Sequence, residues 1–260
     1  MNTYTPKKYK IIDVFKETYN TKTFRVKANI SYEPGQFFEL SVFGIGECPI
    51  SASSYSNNYI DFCVRDVGNT THAINQLKKN DYLFIRGPYG CCYPLRKIEK
   101  KDISLIGGGT GIAPLRSVLD YIRHKRNDFK EVNVFFGFRD INNILFKREF
   151  NEWKKTFNLN MTLDKGSKKW KGNTGLVTKI LEKKKISEDS TALICGPTMM
   201  VKSAIDVLKR KNISDSNIYI SFERLMSCGI GKCGHCMIKN YYVCKDGPVF
   251  PYITAKKFID

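Results

Sequence analysis

Residues 105–114 read LIGGGTGIAP: an apolar run that empties into three glycines, Thr110 and a fourth glycine, then turns helical. Glycines at the end of a strand let backbone N–H groups approach a pyrophosphate, and a helix beginning near Ile112 favours its negative charge. The stretch is neither the GxGxxG fingerprint nor a P-loop, since no Gly-Lys-Ser/Thr follows. By itself it serves equally well as a tight strand-to-helix turn.

The surroundings repeat the same pattern. DISLIGGG leads into the helical APLRSVLDYIRHKR, and VNVFFGFRD is again a strand before the helical ILFKREFNEWKK. TALICGP precedes the helical TMMVKSAIDVLKRK, and NIYISFE supplies a fourth strand. Strands alternating with helices predict a parallel α/β sheet. Such a sheet binds ligands at the carboxyl ends of its strands, so ICGPTMM places Cys195, Gly196 and Pro197 at the mouth of the same cleft. Cys195 has no basic neighbour to activate it and reads on its own as a small buried residue.

Upstream, the first hundred residues are β-rich. YKIIDVFKET, TKTFRVKA, QFFELSVF, YIDFCVRDV and DYLFIRG are short β-branched and aromatic runs broken by Gly, Pro and Asn. One helix, THAINQLKK, interrupts them, with Thr70 or Thr71 as its cap. Several strands and one helix predict an antiparallel barrel or sandwich. CPISASS (48–54) and RDVGNTTHAI (65–74) offer hydroxyls, an Arg and a helix start for a second phosphate-bearing ligand, though ordinary turns account for them too.

A length of 260 residues suits two domains, and 42% hydrophobic residues supply their cores. The longest apolar runs are of strand length, so no membrane insertion is expected. The opening MNTYTPKKYKIIDVFK has no apolar signal stretch, and a cytoplasmic protein is expected. Lys and Arg total 43 against 25 Asp and Glu, a net charge of +18. The surplus is scattered lysine with no helix-turn-helix or RNA-recognition signature, so it argues against nucleic acid and for acidic partners or phosphorylated cofactors.

Of nine cysteines, Cys48, Cys63, Cys91, Cys92 and Cys195 are dispersed and read mostly as small buried residues. The other four form Cys228-x4-Cys233-x2-Cys236-x7-Cys244. Clustered thiols in a reducing compartment mean metal or catalysis. Structural zinc usually takes two CxxC pairs or a Cys/His mix, and only one CxxC is present. The x4-x2 spacing is that of a plant-type 2Fe–2S loop, which favours iron–sulfur over zinc. The segment from Arg224 to the end is too short and too rich in Gly and Cys for a core of its own.

In order along the chain, PIS (49–51), RGPYG (86–90), GGGTGIAP (107–114) and CGPTMM (195–200) resemble the ferredoxin–NADP reductase superfamily. With the cysteine tail, the chain is similar to that superfamily's flavin and 2Fe–2S electron-transfer subunits. Its run YISFERLMSCGIGKCGHCMIKNYYVCKDGPVF is most similar to the electron-transfer subunits of anaerobic sulfite reductase. The resemblance implies a Greek-key flavin-binding barrel over 1–98, a nicotinamide-nucleotide domain with a parallel sheet over 99–223, and an iron–sulfur segment over 224–260.

By the same resemblance, Pro49, Ile50 and Ser51 line the flavin, with Ser51 near N5. Val64, Arg65, Thr70 and Thr71 hold the ribityl and pyrophosphate part of FAD. Many relatives carry Arg before the Pro of the flavin motif; here Cys48 stands there and leaves Arg65 as the pyrophosphate partner. Gly108, Gly109, Thr110 and Gly111 take the pyrophosphate of NADH, Cys195 flanks the nicotinamide with Gly196 and Pro197, and Cys228, Cys233, Cys236 and Cys244 hold the cluster. Arg139 would meet a 2′-phosphate and Asp140 would repel one, so NADH is expected with NADPH possible. The implied activity converts two-electron into one-electron transfer: hydride from NADH to FAD, single electrons to the cluster, then to a partner. The implied partners are sulfite-reducing and iron–sulfur subunits in a hetero-oligomer. The alternatives are a dihydroorotate dehydrogenase electron-transfer subunit or a hydrogenase gamma subunit, and, from another class, a non-catalytic zinc-bearing nucleotide sensor.

Overall fold

The computed structural model describes residues 4–259; residues 1–3 and 260, the outer ends of the expected first and third units, lie outside the described residues. The first sheet has six strands: β1 (Lys7–Lys16), β2 (Thr21–Lys27), β3 (Phe37–Val42), β4 (Gly46–Ser51), β5 (Tyr59–Arg65) and β6 (Tyr82–Tyr89). They pair antiparallel in the order β4-β3-β6-β1-β2-β5. A bridge from Ala52 to Phe62, with Ser53 N–H donating to the Asp61 carbonyl at 2.9 Å, joins the two outer strands and closes a barrel. Phe24, Phe38, Ile60, Phe62 and Val64, all fully buried, fill it. Helix α1 (Asn69–Gln76) plugs one end through the buried Ile74. Its turn is pinned by Thr71, whose hydroxyl accepts from the N–H of Val67 and Gly68.

β4 was not expected from the sequence, where its CPIS reads as a hydroxyl-bearing turn. Pro49 lacks a donor and sits on a strand bonded to β3 alone, where one N–H fewer is tolerated.

The second sheet holds β7 (Ile103–Gly108), β8 (Val132–Phe138), β9 (Asn158–Leu163), β10 (Asn173–Thr174), β11 (Thr191–Cys195) and β12 (Ile218–Ser221). They run parallel in the order β10-β9-β8-β7-β11-β12. β7 and β11 are buried along their whole length, as strands covered on both faces must be. Helices α2 (Ile112–His124) and α3 (Phe150–Thr156) pack into one core layer, and α4 (Val177–Lys183) and α5 (Thr198–Arg210) into the other. β9 and α4 lay outside the sequence reading; NLNMTL lacks an apolar run, and α4 is only seven residues long.

The cysteine segment contributes a hairpin of β13 (Met237–Ile238) and β14 (Tyr241–Tyr242), then α6 (Val243–Asp246), β15 (Val249–Pro251) and α7 (Tyr252–Ala255). β15 adds antiparallel to β12. Phe250 and Phe258 stack edge-to-face at 5.4 Å, with Phe222 and Tyr241 against both. The segment thus borrows the core of the nucleotide sheet. Among the described residues no helix is long and apolar enough to cross a membrane.

Candidate electron-transfer site

The glycine turn sits where β7 gives way to α2. Gly109 has φ +56 with open space around it, so its backbone is free to meet a ligand. A Cβ on Gly111 would lie 2.6 Å from the backbone of Cys195, which only glycine permits. Gly108 and Gly109 line a cavity of about 370 Å³ together with Arg139, Asp164, Pro197 and Met200. Asp140 is not part of it: its carboxylate accepts from Asn142 N–H at 2.8 Å and Asn143 Nδ2 at 2.9 Å, closing its own turn. Asp164 was missed in the sequence because β9, which delivers it, has no strand pattern.

A second cavity, of about 430 Å³, opens between the barrel and the nucleotide sheet. Cys48, Pro49, Ile50 and Ser51 form one wall, with Arg65 and Thr71 above them. Thr110, Ala113 and Pro114, at the start of α2, form the second. Phe222, Glu223, Arg224 and Met226 form the third, and none of these was singled out in the sequence. Its volume falls in the usual range of small-molecule and cofactor sites.

Not every expected residue reaches a cavity. Val64 is fully buried in the barrel core. Thr70 lies off the wall with its hydroxyl toward Gly46. Gly196 and Cys195 line neither cavity. Cys195 is 1% exposed. Burial, then the charge of Glu223, pushes its thiol far above the ordinary range. Of the dispersed cysteines, Cys63 and Cys195 are buried, Cys48 is half-buried, and Cys91 and Cys92 are exposed, contrary to the sequence reading.

The four clustered cysteines fall in two pairs. The N–H of Cys233 points at Cys228 Sγ, 3.3 Å, and the N–H of Cys244 at Cys236 Sγ, 3.4 Å. Further backbone N–H groups point at the sulfurs: Lys232 at Cys228 Sγ, 3.3 Å, and Gly231 at Cys244 Sγ, 3.0 Å. The amide of His235 leads the contacts that hold the Cys233 thiol below its usual range. Among the described residues no three His, Cys, Asp or Glu converge on one metal ion. Two thiol pairs ringed by amide donors fit a group with two metal centres better than one tetrahedral ion.

The loop is fastened to the barrel. Arg86 on β6, 7% exposed, donates through Nη1 to the Cys228 carbonyl at 2.6 Å and through Nη2 to that of Ser227 at 3.2 Å. Its Nε is held by Glu47 Oε1 at 2.8 Å. Beneath Gly229, Glu39 is sealed from solvent with both carboxylate oxygens unpartnered, and burial pushes its carboxyl up to about 8.

A closed antiparallel barrel, a parallel nucleotide sheet and a thiol loop docked on both define a ferredoxin–NADP reductase-like protein with an iron–sulfur segment. Protein-family models agree: residues 105–206 match an oxidoreductase NAD-binding domain, and residues 223–254 the iron-sulfur cluster binding domain of dihydroorotate dehydrogenase B. The chain is 36% identical to the sulfhydrogenase 2 subunit gamma of Pyrococcus furiosus, covering 98% of both chains. It is 34% identical to a probable dihydroorotate dehydrogenase B (NAD(+)), electron transfer subunit, of Thermococcus kodakarensis, covering 92% of this chain and 94% of that one. The chain belongs to this family of electron-transfer subunits. In fold it superimposes on a chain of the NADH-dependent reduced ferredoxin-NADP oxidoreductase structure with a TM-score of 0.77, at 24% identity over 94% of this chain and 88% of that one. These relatives favour the alternatives named from the sequence over a sulfite reductase subunit.

Proposed function

We propose that the chain is the NADH-oxidising electron-transfer subunit of a hetero-oligomeric redox enzyme, with FAD in the 430 Å³ cavity and a 2Fe–2S cluster on Cys228, Cys233, Cys236 and Cys244. Its three units are 1–98 for the flavin, 99–223 for the nucleotide and 224–260 for the cluster. The observation that carries this reading is the third cavity wall: Met226 lines the flavin cavity and stands two residues before Cys228. A flavin there would accept a hydride and release electrons singly, and a 2Fe–2S cluster would carry them one at a time; that chemistry belongs to the cofactors.

The chain's residues supply position and field. Pro49, Ile50 and Ser51 line the cavity and would hold the flavin ring, with the Ser51 hydroxyl available to its N5. Arg65, with Arg224 on the opposite wall, replaces the arginine that Cys48 displaces and faces the FAD pyrophosphate. Thr71 holds the helix start there, while Val64 and Thr70 contribute backbone and support. Gly108 and Gly109 receive the pyrophosphate of NADH; Gly111 lets the turn pack on the Cys195 backbone, Thr110 faces the flavin cavity, and Gly196 and Pro197 shape the nicotinamide end. Cys195 acts from beneath as packing for the Gly111 turn. Asp164 accepts the adenosine ribose hydroxyls, which favours NADH, as the NAD(+) in the relatives' names also does.

The partner class favoured by the relatives is a hydrogenase, with the catalytic subunit of dihydroorotate dehydrogenase B second. Tagged protein isolated anaerobically from its native cell tests both levels. Flavin and iron–sulfur absorption with a co-purifying hydrogenase subunit is expected. A colourless zinc protein would overturn the redox reading, and recovery with a sulfite-reducing subunit would overturn the partner alone.

A further inference from the structure

We propose that Arg116 is a positioning residue for hydride transfer, registering the helix that carries the nucleotide turn against the strand end that carries Ser51. The inference rests on the function proposed above. In the step concerned the C4–H bond of NADH breaks, the hydrogen and its two electrons pass to flavin N5, and NAD+ leaves.

Arg116 lies on α2, two residues beyond Pro114, which lines the flavin cavity. It is 3% exposed and reaches across the boundary between barrel and nucleotide sheet. Its Nη1 donates to the Ser53 carbonyl at 2.5 Å and to Asp61 Oδ2 at 3.0 Å. Its Nε donates to Glu149 Oε2 at 2.7 Å, and Phe146 stacks 5.0 Å from the guanidinium. Ser53 stands two residues after Ser51, so one side chain near the start of α2 ties that helix to the end of the strand proposed to face the flavin.

The barrel side of this joint is rigid. Asp61 is fully buried and forked by Arg25, at 2.8 Å and 2.9 Å. Ser53 donates both its N–H and its hydroxyl to the Asp61 carbonyl, at 2.9 Å and 3.0 Å. One turn along α2, Asp120 Oδ2 accepts from Tyr55 N–H at 3.4 Å. The helix is therefore stapled twice to residues 53–55. Adhesion between the two units has another anchor, where Glu17 of the barrel accepts from Phe146 N–H at 2.8 Å and pairs with Arg148. What distinguishes Arg116 is its place between the two reactant-binding segments. Hydride donor and acceptor must lie roughly 3–3.5 Å apart, and a misplacement of about 1 Å costs on the order of 100-fold in rate.

The test uses the flavin- and cluster-loaded protein with Arg116→Gln and Arg116→Lys. Asp61 keeps Arg25 as partner in both. Anaerobic stopped-flow flavin bleaching at saturating NADH is read beside the NAD+ dissociation constant, the iron and flavin content and the thermal midpoint. Arg116→Gln should slow the limiting bleaching rate by roughly 10- to 100-fold with NAD+ affinity held within about twofold. Arg116→Lys, which keeps the charge but cannot span Ser53 and Glu149 together, should recover part of the rate. If the Gln variant does not retain flavin, the Lys variant alone decides. A limiting rate within about twofold of the parent in a folded variant, or a loss confined to NAD+ affinity, overturns the assignment. A parent whose flavin NADH does not reduce overturns the functional reading, and this inference with it.

Discussion

Asp140 and Asp164 both follow parallel strands at the nucleotide cleft, yet only Asp164 lines it, because Asp140 spends its carboxylate on its own turn. Replacing Asp164→Ser removes a charge that would repel a 2′-phosphate and a pair of acceptors for a ribose diol. The NADH-over-NADPH ratio of kcat/KM should fall by roughly tenfold, about 1.4 kcal/mol, in steady-state reduction of ferricyanide; an unchanged ratio would remove Asp164 from the subsite. The cysteines separate at the same scale. In the iron-loaded protein Cys91 and Cys92, being exposed, should react with a maleimide, slowly because partial burial raises both thiols, while the buried Cys63 and Cys195 stay silent. Cys233, also exposed, should react only once iron is removed; mass mapping of the labelled peptides checks this, and early labelling of Cys233 would exclude it as a ligand.

Among elements, the telling joint is β6 against the cysteine loop. Arg86 satisfies two loop carbonyls at once and is itself braced by Glu47, so the loop's first cysteine is set by a strand of the barrel. Arg86→Met would strand those acceptors and loosen the loop by roughly 2–3 kcal/mol. Iron retention after gel filtration should drop and the EPR signal of the reduced protein should broaden, with NADH-dependent flavin bleaching still present. Full iron content with an unaltered signal would show that the loop holds itself. β15 plays the complementary part, tying the other end of the segment to β12.

Across the whole molecule, the cavity proposed for the flavin exists only where three parts of the chain meet. Its third wall runs from Phe222 and Glu223, at the end of the nucleotide unit, into Arg224 and Met226 of the segment whose loop collects the thiols. Removing iron with a chelator under reducing conditions should therefore weaken flavin binding by roughly tenfold through loss of order at Phe222–Met226, since binding energy to one group stabilises the walls it shares with another. Fluorescence of released flavin measures it. Flavin affinity that is indifferent to iron would mean the wall stands without the cluster.

Much of this architecture is carried by contiguous residues. Runs of β-branched and aromatic residues, strand-to-helix alternation, the GGGTG turn and the x4-x2 cysteine spacing are local features. From them the sequence alone determined an antiparallel β unit, barrel or sandwich, a parallel sheet and a thiol cluster, and only the family resemblance chose the barrel. Short or polar elements such as β4, β9 and α4 escaped because a neighbour's packing, not their own pattern, makes them strands or helices. The partner was likewise beyond reach, since one loop spacing is a weak guide to the surface a second protein recognises. Only the tertiary structure decided which residues meet: Asp164 with Arg139, Met226 and Ser51 on one cavity, Arg116 on Ser53. Arg86 holds a carbonyl 142 residues away. Such contacts depend on how whole elements pack, and no local pattern in the chain encodes them.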